Sequence, residues 1–154
     1  MSSEPKRRSN RKRGLMAGAL AVLAFCMVER RWFTTNDITT GQTPEYPDLP
    51  SRIYAADLTA TRKAAVEAVA AIPRWRVMPG PDTEVVRAEV RTALFRFVDD
   101  VEVRFQALTA HPAPRTKVVI RSHSRVGKGD LGENARHIRA LQDAMEARLP
   151  RADE

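Results

Sequence analysis

Cysteine is almost absent: Cys26 stands alone in the chain. No intrachain disulfide and no thiolate metal cluster can form, so a domain outside the membrane must hold together without staples. Histidine is nearly as scarce. His111, His123 and His137 fall on a loop, a strand end and a helix, without metal-ligand spacing, and exposure is the ordinary reading for all three. Neither a metal nor a cofactor is expected. Basic charge is plentiful overall, at a net +7, yet nearly missing from the body of the chain. Residues 1–13 hold Lys6, Arg7, Arg8, Arg11, Lys12 and Arg13 against Glu4, a net +5, which leaves only +2 for the rest. The high pI belongs to a tail, and no nucleic-acid partner is expected.

A long apolar run is also missing. Gly14 to Val28 is fifteen residues without a charge, and a span usually takes about twenty. Glu29-Arg30-Arg31 can snorkel and Trp32-Phe33 suit the interfacial belt, which extends the effective length. No A-x-A-like cleavage site follows, and nothing in the run alternates polar with apolar as a buried soluble helix would. The pattern predicts an uncleaved transmembrane anchor over 14–33, with the basic tail 1–13 in the cytoplasm. Leu23-Ala-Phe-Cys26 looks like a lipoprotein box, but such boxes want a small residue where Phe25 stands.

Residues 34–56 read as a proline-containing tether. In Pro44-Glu-Tyr-Pro47-Asp-Leu-Pro50 proline recurs every third residue, the repeat of polyproline II. The segment is either a stiff strut, a strip laid across the following domain by Tyr46 and Leu49, or a ligand for an aromatic-lined groove. A domain over 57–150 follows. Thr59 can cap a helix over 60–72, with Ala65, Val66, Val69 and Ile72 on one face and Pro73 ending it. Four alternating stretches follow: Arg74–Met78, Val85–Thr92, Val101–Phe105 and Thr116–Ser122. A last helix carries the stripe Ala135, Ile138, Leu141, Met145 and Leu149, with Asp130 as N-cap and Glu133 completing a capping box. The prediction is an α+β fold: a roughly four-stranded antiparallel sheet in the order α-β-β-β-β-α, both helices on one face and the other face wet. Inward parity changes between Val90 and Phe95, which implies a bulge or irregular turn, with Phe95 and Phe97 in the core or forming an apolar lip that meets lipid or a partner.

Gly127-Lys-Gly129-Asp-Leu-Gly132 is a literal G-x-G-x-x-G, but its context is wrong. A dinucleotide fingerprint needs a second parallel strand bearing an acid, and here the helix is the last element. Nor is there a G-K-[ST] ending. What remains is a helix N-terminus flanked by Arg121, Arg125 and Lys128, with Ser122, Ser124 and Asn134 nearby, where an anion could sit. The stronger alternative is internal pairing of Asp99 and Asp100 with Arg121 and Arg125, fixing the sheet against the last helix. No catalytic residue is expected. Neighbours in Ser122-His123-Ser124 point to opposite faces, and Asp99 and Asp100 are adjacent rather than opposed across a cleft.

Arg121-Ser-His-Ser-Arg-Val-Gly-Lys-Gly-Asp-Leu-Gly-Glu-Asn134, with Phe95-Arg-Phe-Val-Asp-Asp100, resembles the family known as domain of unknown function 1499, over about residues 41–149. Thr40 to Pro50 resembles the subset with a leading membrane segment. The resemblance implies a small shared fold and an envelope location, and brings no reaction. Many relatives open with a cysteine-containing segment that this chain lacks, and His137 stands where relatives commonly show arginine. The expectation is a single-pass bacterial inner-membrane protein with a periplasmic domain. Its expected role is non-enzymatic binding or assembly, with an envelope protein or an anionic ligand as partner. An anion-binding module for phospholipid headgroups or phosphorylated envelope polymers is the alternative, and a hydrolase comes third.

Overall fold

The computed structural model describes residues 32–80, 84–92, 97–110 and 112–152. The elements are β1 (Asp37–Thr39), β2 (Arg52–Tyr54), α1 (Leu58–Ala71), β3 (Trp75–Met78), β4 (Val85–Arg91), β5 (Val98–Ala107), β6 (Thr116–Ser124) and α2 (Glu133–Glu146). Residues 32–34 are helical as well. The fold is α+β with an antiparallel sheet, but the sheet has six strands rather than four. Its order is β1-β6-β5-β4-β3, with β2 also on β6. Among the described residues no helix is long and apolar enough to cross a membrane. Residues 14–31 of the expected anchor, Cys26 included, lie outside the described residues.

The alternation in the sequence becomes an inner and an outer sheet face. Val86, Ala88 and Val90 of β4, Val101 and Val103 of β5, and Val118 and Ile120 of β6 are buried. The two helices pack on each other and on this inner face. α1 presents Ala64, Ala65, Ala68 and Val69 there, small side chains that let its backbone approach closely; α2 presents Ala135, Ile138, Leu141 and Met145. The cap of α1 is Asp57 rather than Thr59: its carboxylate accepts from the Ala60 amide at 2.7 Å. The helix therefore starts at Leu58 and ends before the extended Ile72.

The supposed tether is part of the sheet. β1 pairs with the far end of β6 (Ile38 opposite Ser122), and β2 with its near end (Ile53 opposite Lys117), so both lie along one edge of β6. Between them residues 40–51 leave the edge and return. This excursion is not polyproline II, which has no internal hydrogen bonds. It is two successive turns, with the Tyr46 amide on the Thr43 carbonyl at 3.0 Å and the Leu49 amide on that of Tyr46 at 3.1 Å. A three-residue repeat closed this way places Tyr46 and Leu49 in the core, both 2% exposed. Gln142 of α2 donates to the Pro50 carbonyl at 3.0 Å and Arg139 bonds Asp48, fastening the excursion to the helix.

The parity change after Val90 needs no bulge. Arg91 pairs with Val98, a register that carries β4's even-numbered inner set to β5's odd-numbered one. The Thr92 amide donates to the Phe97 carbonyl and closes the hairpin. Phe97 has the inner parity but stands two residues before Asp99, the first buried position of β5, and is half exposed rather than core. Phe95 lies outside the described residues.

Candidate functional site

The residues singled out around the glycine loop come from β6, its neighbour β5, and the start of α2, and the sheet divides them. Ser122 and Ser124 share the inner parity of Val118 and Ile120, while Arg121, His123 and Arg125 point outward. The two arginines and the two hydroxyls of the predicted anion site therefore lie on opposite sides of the sheet.

On the outer face, Arg121 forms a fork to Asp37 of β1, with Nε on Oδ1 at 2.9 Å and Nη2 on Oδ2 at 2.6 Å. Arg125 forms another to Asp100, at 2.7 and 2.6 Å, and its Nη2 also reaches Glu89 of β4 at 2.6 Å. Two parallel charge-assisted bonds fix a guanidinium in plane, so each arginine crosslinks neighbouring strands. These bonds hold the Asp37 and Asp100 carboxyls below their ordinary value. His123 Nε2 lies 3.6 Å from Asp100 Oδ2. Arg125 thus meets Asp100, one of its two predicted partners, and Arg121 meets Asp37. Asp99 is on the other face.

On the inner face Asn134, fully buried, is the hub. Ser122 Oγ donates to its Oδ1 at 2.6 Å, and its Nδ2 donates to the Asn36 carbonyl at 2.9 Å and Ser124 Oγ at 3.1 Å. One side chain thereby joins β6, α2 and the segment entering β1. Asp130 accepts from the amides of Gly132 at 2.8 Å and Asn134 at 2.6 Å, two donors that an anion at the helix start would otherwise have used. It does this from outside the helix: Gly132, with φ 79°, holds the N-cap position, and α2 starts at Glu133. The capping box is not formed, because the Glu133 carboxylate turns to Arg136 at 2.8 Å. Lys128 is exposed and has no carboxylate partner among the described residues.

The glycine spacing has a packing cause. Gly127 and Gly132 take positive φ, 93° and 79°. A Cβ on Gly129 would lie 2.4 Å from the Phe33 carbonyl carbon. The loop is bare so that residues 32–36 can run across it, held by the Leu131 amide on the Trp32 carbonyl at 2.9 Å and by Asn36 Nδ2 on the Gly127 carbonyl.

Behind this network lies a buried pair that sequence reasoning did not join. Asp99 is 1% exposed and His137, expected on the surface, only 7%, with Asp99 Oδ2 and His137 Nδ1 3.6 Å apart and neither atom hydrogen-bonded. The edge of Trp75 covers the imidazole, with ring centroids 5.7 Å apart. The distance alone suggests an ion pair, but burial pushes the Asp99 carboxyl up and the His137 imidazole down, and both shifts favour uncharged forms. Burial dominates, because an ion pair would move each group the other way. The signal for Asp99 was its parity: an acid in line with Val101 and Val103 faces the core.

A pH dependence follows. Glu133 and Asp130 act to raise the His137 value and Arg136 and Arg74 to lower it, while burial sets the net direction, below the ordinary 6.5. The unfolded chain therefore takes up this proton first, and stability present above pH 6.5 is lost as pH falls toward the folded value. Asp37 and Asp100, lowered from 3.8, lose their contribution only in stronger acid. Asp99, raised from 3.8, opposes: its contribution is greatest below that value and fades as pH rises through the folded one. The urea midpoint is expected to drop between pH 7.5 and 5.5, and to drop less in His137→Gln. Equal slopes in parent and variant would assign the effect to another group.

A groove of about 650 Å³ lined by Leu58, Arg62, Val66 and Glu84, among others, lies at the opposite end of the sheet and shares no residue with this cluster. Residues 23–145 match the family described as Protein of unknown function (DUF1499). The chain belongs to the DUF1499 family. No curated protein and no solved structure matches it. The match takes in the described part of the DUF1499 domain from the residues crossing the glycine loop to Met145 of α2, so the outer arginine forks and the Asn134 hub lie within the family region.

Proposed function

We propose that this DUF1499 protein is anchored in the bacterial inner membrane by residues 14–33, with a cytoplasmic amino terminus and a periplasmic domain. That domain serves a non-enzymatic binding or assembly role in the envelope. The anchor rests on the basic tail followed by the uncharged run Gly14–Val28. The preference for this reading over an anion-binding module is carried by one observation: Arg121 of β6 is held in a fork by Asp37, and Arg125, just past β6, by Asp100 with Glu89 beside it. A site poised for phosphate would keep such forks open for the ligand. Ser122, its hydroxyl donated to Asn134, is in no position to be activated by His123 on the other face.

The test is a melting screen of the full-length protein in detergent with phosphate, polyphosphate and soluble anionic headgroups. The melting temperature is expected to stay unchanged with each, while Arg125→Ala melts somewhat lower with or without them. A rise of several degrees that Arg125→Ala abolishes would instead favour the anion-binding module. For topology, alkaline phosphatase fused after Glu154 is expected to be active; a fluorescent cytoplasmic reporter there, with inactive phosphatase, would overturn the periplasmic assignment.

A further inference from the structure

Among the described residues the exposed large apolar side chains are Phe33, Phe97, Val126 and Leu131, at 63, 50, 64 and 52%. Scattered singly they would need no explanation, but they gather at one end of the sheet. Phe97 precedes β5. The pairing Asp99↔Ser124, continued by the Arg125 amide on the Val98 carbonyl, sets Val126 across from Phe97. Leu131 and Phe33 flank the same loop, since the Leu131 amide bonds Trp32 and Gly129 abuts the Phe33 backbone. The opposite end, where α1 begins and β6 starts, has no large apolar side chain so exposed among the described residues.

This end is also where the amino-terminal segment enters the domain. Trp32 is seated against Gly132 and Leu131, and only Glu29-Arg30-Arg31 separates it from the uncharged run ending at Val28. Three residues span at most about 10 Å. With that run in lipid, the apolar end of the domain lies within reach of the headgroups and cannot be held far from them. The charge there agrees: Lys128 is exposed on the loop without a carboxylate partner among the described residues, and the link Glu29-Arg30-Arg31 before the entry point adds a net +1.

We propose that this end of the domain rests on the bilayer, with Phe33, Phe97, Val126 and Leu131 among the headgroups and Lys128 against anionic lipid. Large apolar side chains edged by cations favour such an interface over bulk water or the hydrocarbon interior. The proposal rests on the reading of residues 14–33 as an anchor, and its test separates the two.

Full-length protein carrying Cys26→Ser and either Val126→Cys or, at the far end, Ala107→Cys is labelled with an environment-sensitive fluorophore. It is reconstituted into phosphatidylethanolamine–phosphatidylglycerol vesicles; both sites are exposed, so the fold is preserved. Flotation in alkaline carbonate reads the anchor. Quenching by headgroup-level spin-labelled lipid and by aqueous iodide reads the surface. The expected result is flotation of both proteins, with the label at 126 losing most of its emission to the lipid quencher and little to iodide, and the label at 107 doing the reverse. Flotation with the two labels quenched alike by iodide overturns the surface and leaves the anchor standing. A label at 126 shielded from both quenchers also overturns it, and means that a second copy or the chain's own apolar run covers the patch. Failure to float overturns the anchor and the surface with it.

Discussion

Asn134→Ala is expected to lower the melting temperature by about 10–20 °C. The substitution strips partners from the Ser122 hydroxyl, the Asn36 carbonyl and the Ser124 hydroxyl at once, and the first of these is fully buried. A buried polar group left unsatisfied costs about 1–3 kcal/mol. Allowing for some relaxation, the sum is about 3–5 kcal/mol, which for a domain of this size converts to the stated shift. Ser122→Ala alone removes one donor and is expected to cost less than half as much. The double variant should fall short of the sum, since the two residues share a bond. A drop of only a few degrees for Asn134→Ala would mean that its contacts are dispensable, as they would be if it were held ready for a ligand.

Tyr46→Ala is the second large effect, expected at about 3–5 kcal/mol, the usual cost of emptying a buried aromatic site. Tyr46 is 2% exposed and belongs to the same core cluster as Ile38, Leu49 and Tyr54, all from residues that read as a tether. Chemical denaturation of the full chain checks it. An unchanged midpoint would return residues 40–51 to the status of a strut. The same reasoning warns against a fragment begun at Ala55, which lacks β1, β2 and four core side chains.

Much of this fold was legible because periodicity survives wherever an element is long. Val86, Ala88 and Val90 announce one face of β4, and Ala135, Ile138, Leu141 and Met145 one stripe of α2. β1 and β2 have three residues each, too few for any period to register, and their pairing with β6 is set by contacts far along the chain. Two partners of the arginines, unlike the expected Asp100, were hidden for the same reason: Asp37 is 84 residues from Arg121 and Glu89 is 36 from Arg125. The division of the site was within reach. Residues 121–125 alternate, so Arg121 and Arg125 had to face away from Ser122 and Ser124, the argument that separates Ser122 from His123. The core and lip readings of Phe97 could not be separated because parity tells which side a residue faces but not how far the helices reach over it.

The edge formed by β1 and β2 also bears on the order in which the molecule assembles. A chain is made from its amino terminus, and nearby pieces meet before distant ones. α1 and the meander β3-β4-β5 join neighbours in sequence and have partners as soon as they emerge. Residues 37–54 are made before all of these and have no strand to pair with until β6 exists. They are complete only when the Ala152 amide reaches Ile53 and the Pro150 carbonyl accepts from Ala55, both at 2.9–3.0 Å. Closing so long a loop is slow, and meanwhile Ile38, Tyr46, Leu49 and Tyr54 wait in water. The earliest-made part of the domain is thus the last to find its place, and a ribosome stalled before Ser124 leaves it stranded.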